Sequence, residues 1–204
     1  ISYFGLSMFW NSWLNKKVNY DGEIIYDPYR NKKYVDYETR LINVFNEMYR
    51  VLKKNKYLSL TFHNRDIKIW EIVISNLKKI GFYLENIVYQ EQAVSSGTQG
   101  LNKKNTFRGD FVYNFIKTNT LKNSSTIINA PSTYLIREIK KIIKKKNNFI
   151  TPDKLYEKII PMIVNKNIYK DENNKSIDVE LILNKNFKYK QIKKDNNFIY
   201  GWTL

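Results

Sequence analysis

The chain has 204 residues, with 43% hydrophobic and 15% aromatic content, enough to bury the core of one or two domains. It has no cysteine and one histidine, His63, which excludes disulfides and thiolate metal sites and argues against structural zinc; no metal is expected. Thirty-five Lys+Arg against 19 Asp+Glu give a net charge of +16, which favours a polyanionic partner, although a Lys-, Asn-, Ile- and Tyr-rich composition typical of an AT-rich genome supplies part of that charge.

No apolar run reaches the ~18 residues of a membrane span, and no signal peptide opens the chain, so no membrane partner is expected and the cytoplasm is the expected compartment. Leu6, Phe9, Trp10 and Trp13 recur at helical spacing and predict an apolar stripe on a first helix, with Ser2 and Ser7 as available N-caps. Trp10, Trp13 and Trp70 are expected in the core. Asp27-Pro28-Tyr29 reads as a turn. A helix is predicted over Arg40–Lys54, where Leu41, Val44, Phe45, Met48, Val51 and Leu52 repeat at three- and four-residue steps. Tyr57–Phe62 then reads as a strand, about Ile67–Ile80 as a helix closed by Gly81, and Tyr83–Tyr89 as a second strand.

A polar loop, Gln90–Arg108, leads into Asp110–Lys117, a strand with Phe111, Tyr113 and Phe115 on one face. Loops of this length often carry function, and Lys103, Lys104 and Arg108 are its candidate DNA contacts. Residues 120–130 read as a linker between a first domain, 1–119, and a second, 131–204. The second opens with a helix from Pro131 to about Lys146. The Thr151-Pro152-Asp153 start signal sets a further helix, which Pro161 should kink or shorten. A third helix is predicted near Ile177–Asn184, then a hairpin from Tyr189 to Trp202 turning at Asp195-Asn196-Asn197. Three helices and a hairpin outline a small winged-helix-like α+β domain. On it, Lys185, Lys188, Lys190, Lys193 and Lys194 are candidate phosphate contacts.

Five segments in order resemble one family. Tyr3-Phe4-Gly5-Leu6-Ser7 resembles Tyr-x-Glu-Leu-Ser, with Gly5 where Glu is usual. Glu47 to Lys53 resembles Glu-x-x-Arg-Val-Leu-Lys. Leu58 to Asn64 resembles a strand ending Thr-Phe-His-Asn, Ile67 to Phe82 the helix after it with its Gly-Phe close, and Arg108 to Val112 the start of a last strand. Together these resemble the C-terminal half of class I S-adenosylmethionine-dependent DNA methyltransferases of the amino-group (adenine-N6 or cytosine-N4) type. The resemblance implies an α/β fold with a partial Rossmann-like sheet; the tight strand–helix–strand spacing and the direct link through 90–108 predict that the last strand runs antiparallel to its neighbours. The resemblance also implies methyl transfer from S-adenosylmethionine to an exocyclic amine of a flipped base in double-stranded DNA.

Two family signatures are missing from the sequence: the Phe-x-Gly-x-Gly cofactor loop and the catalytic Asp-Pro-Pro-Tyr, which the resemblance places just upstream of Ile1. No catalytic residue is therefore assigned, and the chain alone is expected to be inactive. Ligands of open α/β sheets lie beyond the carboxyl ends of the strands, where the resemblance puts Phe62, His63 and Asn64. It puts Tyr3 and Ser7 beside the target base. For His63 a helix-capping role stands as the alternative, with Asp66 equally placed to cap. A partial sheet should leave an edge uncovered and open to association. The alternative function is a non-catalytic, DNA-binding winged-helix module.

Overall fold

The computed structural model describes residues 3–64, 66–91, 109–120, 128–194 and 197–204. Its contacts group the chain into two compact units, Ile1–Val51 and Leu52–Leu204.

In the first unit, α1 spans Tyr3–Trp13 and α2 spans Tyr34–Val51. The Glu23 carboxylate accepts the Phe4 backbone N–H at 2.9 Å, placing an anion on an otherwise orphan donor of the first turn. The expected apolar stripe is not covered: α1 has no buried residue, and Trp10 and Trp13 are 66% and 80% exposed. They are not core residues. The unit's own packing uses another part of the helix, Phe4, which meets Tyr20 edge-on at 4.8 Å beneath the Arg30 guanidinium. Asp27-Pro28-Tyr29 does form a turn: Asp27 and Lys32 exchange both backbone hydrogen bonds at 2.9 Å around a single 3-10 turn, Pro28–Arg30. Helix α2 starts six residues before the predicted Arg40, with the Asp36 carboxylate accepting the Lys33 N–H at 3.1 Å across its first turn.

The second unit opens with β1 (Tyr57–Phe62), a continuous helix α3 (Ile67–Trp70, a π-turn at Glu71–Ser75, then Asn76–Ile80) and β2 (Phe82–Gln90). Strand β3 (Asp110–Lys117) lies between β1 and β2 and is antiparallel to both. β1 and β2 therefore run parallel without touching, the arrangement that a helical crossover between them permits. Register follows the alternation in β3. Phe111, Tyr113 and Phe115 are fully buried and stand opposite Phe62, Leu60 and Leu58 of β1. Trp70 of α3 is fully buried too, edge-on to Phe62, Phe111 and Tyr113 at 5.3–5.7 Å. Among the described residues β1 and β2 each pair on one side only.

Helices α4 (Pro131–Lys145), α5 (Pro152–Lys166) and α6 (Val179–Asn186) follow, then the hairpin β4 (Lys188–Lys194) and β5 (Asn197–Thr203). Helix α5 continues through Pro161 to Lys166. Between α4 and α5, Ile150 exchanges backbone hydrogen bonds with Trp202 at 2.8 and 3.1 Å, adding a one-residue bridge beside β5. Gly201 allows that approach, because a Cβ there would lie 2.6 Å from the Ile150 oxygen and from the Phe149 ring. The fold is thus mixed α/β, with one three-stranded antiparallel-paired sheet, one hairpin and six helices among the described residues. Most of the expected 120–130 linker lies outside them. The helices beyond it pack in the same unit as the sheet: the Lys78 ammonium of α3 donates to the Val164 carbonyl and the Asn167 side-chain oxygen, both at 2.9 Å, and Lys170 pairs with Glu71 at 3.3 Å.

Candidate functional site

Residues Phe62, His63 and Asn64 lie together at the carboxyl end of β1. Phe62 is half-buried against Trp70. His63 Nδ1 is 2.8 Å from the Gly109 carbonyl oxygen. A carbonyl can only accept, so Nδ1 carries the hydrogen, and in the neutral ring Nε2 holds the lone pair. The Asp110 carboxylate is 3.7 Å from the same nitrogen. The imidazole thus ties the end of β1 to the start of β3. The capping role belongs to Asp66, whose carboxylate accepts the Lys68 N–H at 2.9 Å. Asn64 forms the intervening turn: its side-chain oxygen accepts the Asp66 N–H at 2.9 Å and its carbonyl accepts the Trp70 indole N–H at 2.8 Å.

Sequence reading did not single out Gly109. A Cβ on it would stand 2.4 Å from the Tyr89 ring and 2.5 Å from the Gln90 carbonyl, so only glycine lets the chain pass here and present its carbonyl to His63. The only prior signal was the Arg108-Gly109-Asp110 string itself. Among the described residues, this end of the sheet brings together an imidazole, a carboxamide held in a turn and a carboxylate facing the imidazole. Among the described residues, this set of groups includes no glycine-rich turn of the kind that holds S-adenosylmethionine in such folds.

Tyr3 and Ser7 belong to the first unit, on α1; Tyr3 is exposed and the Ser7 carbonyl accepts from the Asn11 side chain at 2.8 Å. That unit also holds a cavity of about 560 Å³, lined in part by Tyr20, Tyr37, Arg30, Lys32 and Arg40. Its cations are partly structural. The Lys32 ammonium donates to the carbonyls of Tyr20, Asp21 and Glu23 at 2.6–3.3 Å, and Arg40 donates to the Asp21 carbonyl at 2.8 Å. Lys103, Lys104 and Arg108 lie outside the described residues. Lys185, Lys188, Lys190 and Lys193 are exposed, and Lys194 is the last residue of β4.

Between sheet and C-terminal helices, burial pulls the Lys78 ammonium down to about 8 and pushes the Tyr113 and Tyr169 hydroxyls well above their usual range. No group of His, Asp or Glu among the described residues is arranged to hold a metal ion. No described helix is long and apolar enough to cross a membrane. The chain matches no family model, no curated protein and no solved structure.

Proposed function

We propose that residues 1–119 are the C-terminal half of an S-adenosylmethionine-dependent amino-group DNA methyltransferase domain, acting on adenine or cytosine, and that residues 131–204 are a winged-helix-like DNA-binding part. One observation carries the proposal: β3 lies antiparallel between two parallel strands joined by a helix, with His63 and Asn64 at the carboxyl end of β1. That is the sheet end where open α/β folds bind ligands, and the strand arrangement is the one expected from the spacing of the elements that carry the family-like segments. An exocyclic amine is a poor nucleophile whose lone pair is delocalised into the ring. The base must be flipped and its amino group held by acceptors from the Asp-Pro-Pro-Tyr motif, which this sequence lacks. The chain's own share is pocket wall and DNA contact, with the Gly109 carbonyl holding the His63 ring at Nδ1.

The test is methyl transfer to duplex DNA by the protein as its genome encodes it, with the product base identified by mass spectrometry. N6-methyladenine or N4-methylcytosine is expected; neither product would overturn the proposal. The 204-residue chain by itself is expected to transfer no methyl group and to show no low-micromolar S-adenosylmethionine binding by calorimetry. A second reading, a non-catalytic DNA-binding module, is favoured by the order helix, bridge at Ile150, two helices, hairpin. Duplex binding without methyl transfer by the genome-encoded protein selects it.

A further inference from the structure

The hairpin divides the candidate lysines between two faces. Side chains alternate along a strand, and directly paired residues share a face. Tyr189 pairs with Trp202, Gln191 with Tyr200 and Lys193 with Phe198. Trp202 is fully buried, so this face points to the core, and its outer end carries Lys193 beside the exposed Phe198. Lys188 and Lys190 take the opposite face, across from the buried Thr203 and Gly201, with their own side chains exposed. The Phe149 ring lies over Gly201, 2.6 Å from where a Cβ would be. Phe149 directly follows the end of α4, Lys144-Lys145-Lys146-Asn147-Asn148, in which Asn147 and Asn148 both take the left-handed conformation that turns the chain back toward β5.

The Phe149 N–H donates to the Lys146 carbonyl at 3.2 Å, so the run of exposed lysines that closes α4 comes within three residues of the ring lying over Gly201. No Asp or Glu occurs in the described part of β4 and β5. Farther back on α4, Glu138 pairs with Arg137 and Lys141 at 3.3 and 2.8 Å.

We infer that Lys144, Lys145, Lys146, Lys188 and Lys190 form one phosphate-tracking surface for duplex DNA, and that Lys193 belongs to a different face. The inference deepens the DNA-binding reading above and rests on it. Lysines at such a surface position the protein without reading sequence. Each neutralised phosphate adds about 0.9 to the slope of log affinity against log salt.

The experiment titrates the full chain with a labelled mixed-sequence duplex at several salt concentrations. Changing Lys144, Lys145 and Lys146 together to Ala should flatten the slope by up to about 3, and Lys188→Ala with Lys190→Ala by up to about 2. Lys193→Ala alone should change it least. Changing the exposed Lys53, Lys54 and Lys56 to Ala removes as much charge elsewhere and should leave the slope in place. Equal flattening by both triple variants would overturn the surface, as general charge attraction. An unchanged slope in the first triple variant, or tighter binding of a double-stranded RNA, would also overturn it. A chain that binds no duplex overturns the surface while leaving the methyl-transfer assay to decide the catalytic proposal separately.

Discussion

Gly109 has no room for a side chain, so Gly109→Ala should destabilise the protein by about 1–3 kcal/mol, the usual cost of overpacking. Gly22→Ala meets only the Asn19 amide nitrogen, at 4.0 Å, and should be close to neutral; urea midpoints of the two variants check the contrast. Alkaline pH provides a second test. Lys78 titrates near 8 in the folded chain against 10.5 ordinarily, so between those values the unfolded chain holds the extra proton. Stability therefore rises with pH through this window and is lost as pH falls through about 8. Burial raises the Tyr89, Tyr113 and Tyr169 hydroxyls above the ordinary 10.0, so their contribution is intact below that value and lost above it. Denaturant midpoints should climb from pH 8 toward 10 and then fall, and Lys78→Met should remove the climb. Neither residue's role was legible in the sequence: Gly109 sits inside a polar stretch, and Lys78 finds its acceptors 86 and 89 residues away.

Among the elements, those with strong local signals were readable. Phe111, Tyr113 and Phe115 alternate cleanly and all three are buried. Pro131 and Pro152 open helices as their fixed φ favours. The start of α2 escaped because Tyr34, Val35 and Tyr37 favour strands by propensity, while the Asp36–Lys33 bond and the Tyr26–Tyr34 stack at 3.7 Å hold them helical. The apolar side of α1 was visible, but periodicity does not say whether a partner covers it. Capping separates two helix starts. Asp178 accepts the Leu181 N–H at 2.8 Å, so Asp178→Ala should cost about 1 kcal/mol. Thr151 holds the same position before α5 without a side-chain bond, so Thr151→Ala should cost much less. Thermal melts of the two variants that fall equally would contradict this reading.

At the scale of the whole molecule, apolar and edge surfaces stand open. Phe9, Trp10 and Trp13 are exposed on α1, and β1 and β2 each present an unpaired edge among the described residues. Concentration-dependent self-association is the expected behaviour. Sedimentation of a single monomeric species at high concentration would count against it. The order of the candidate site along the sheet was legible, because strand ends are set by local breakers such as His63-Asn64. Its closure by Gly109 was not, because that contact joins residues 46 positions apart. Strand β3 also carries a consequence for synthesis. β1 and β2 bond to no strand but β3 among the described residues, so on a ribosome making the chain from its N-terminus both wait without a ladder until residue 117 has emerged. Nascent chains stalled before Asp110 should remain protease-sensitive across 57–90, and those stalled well beyond Lys117 should become resistant there in a single step.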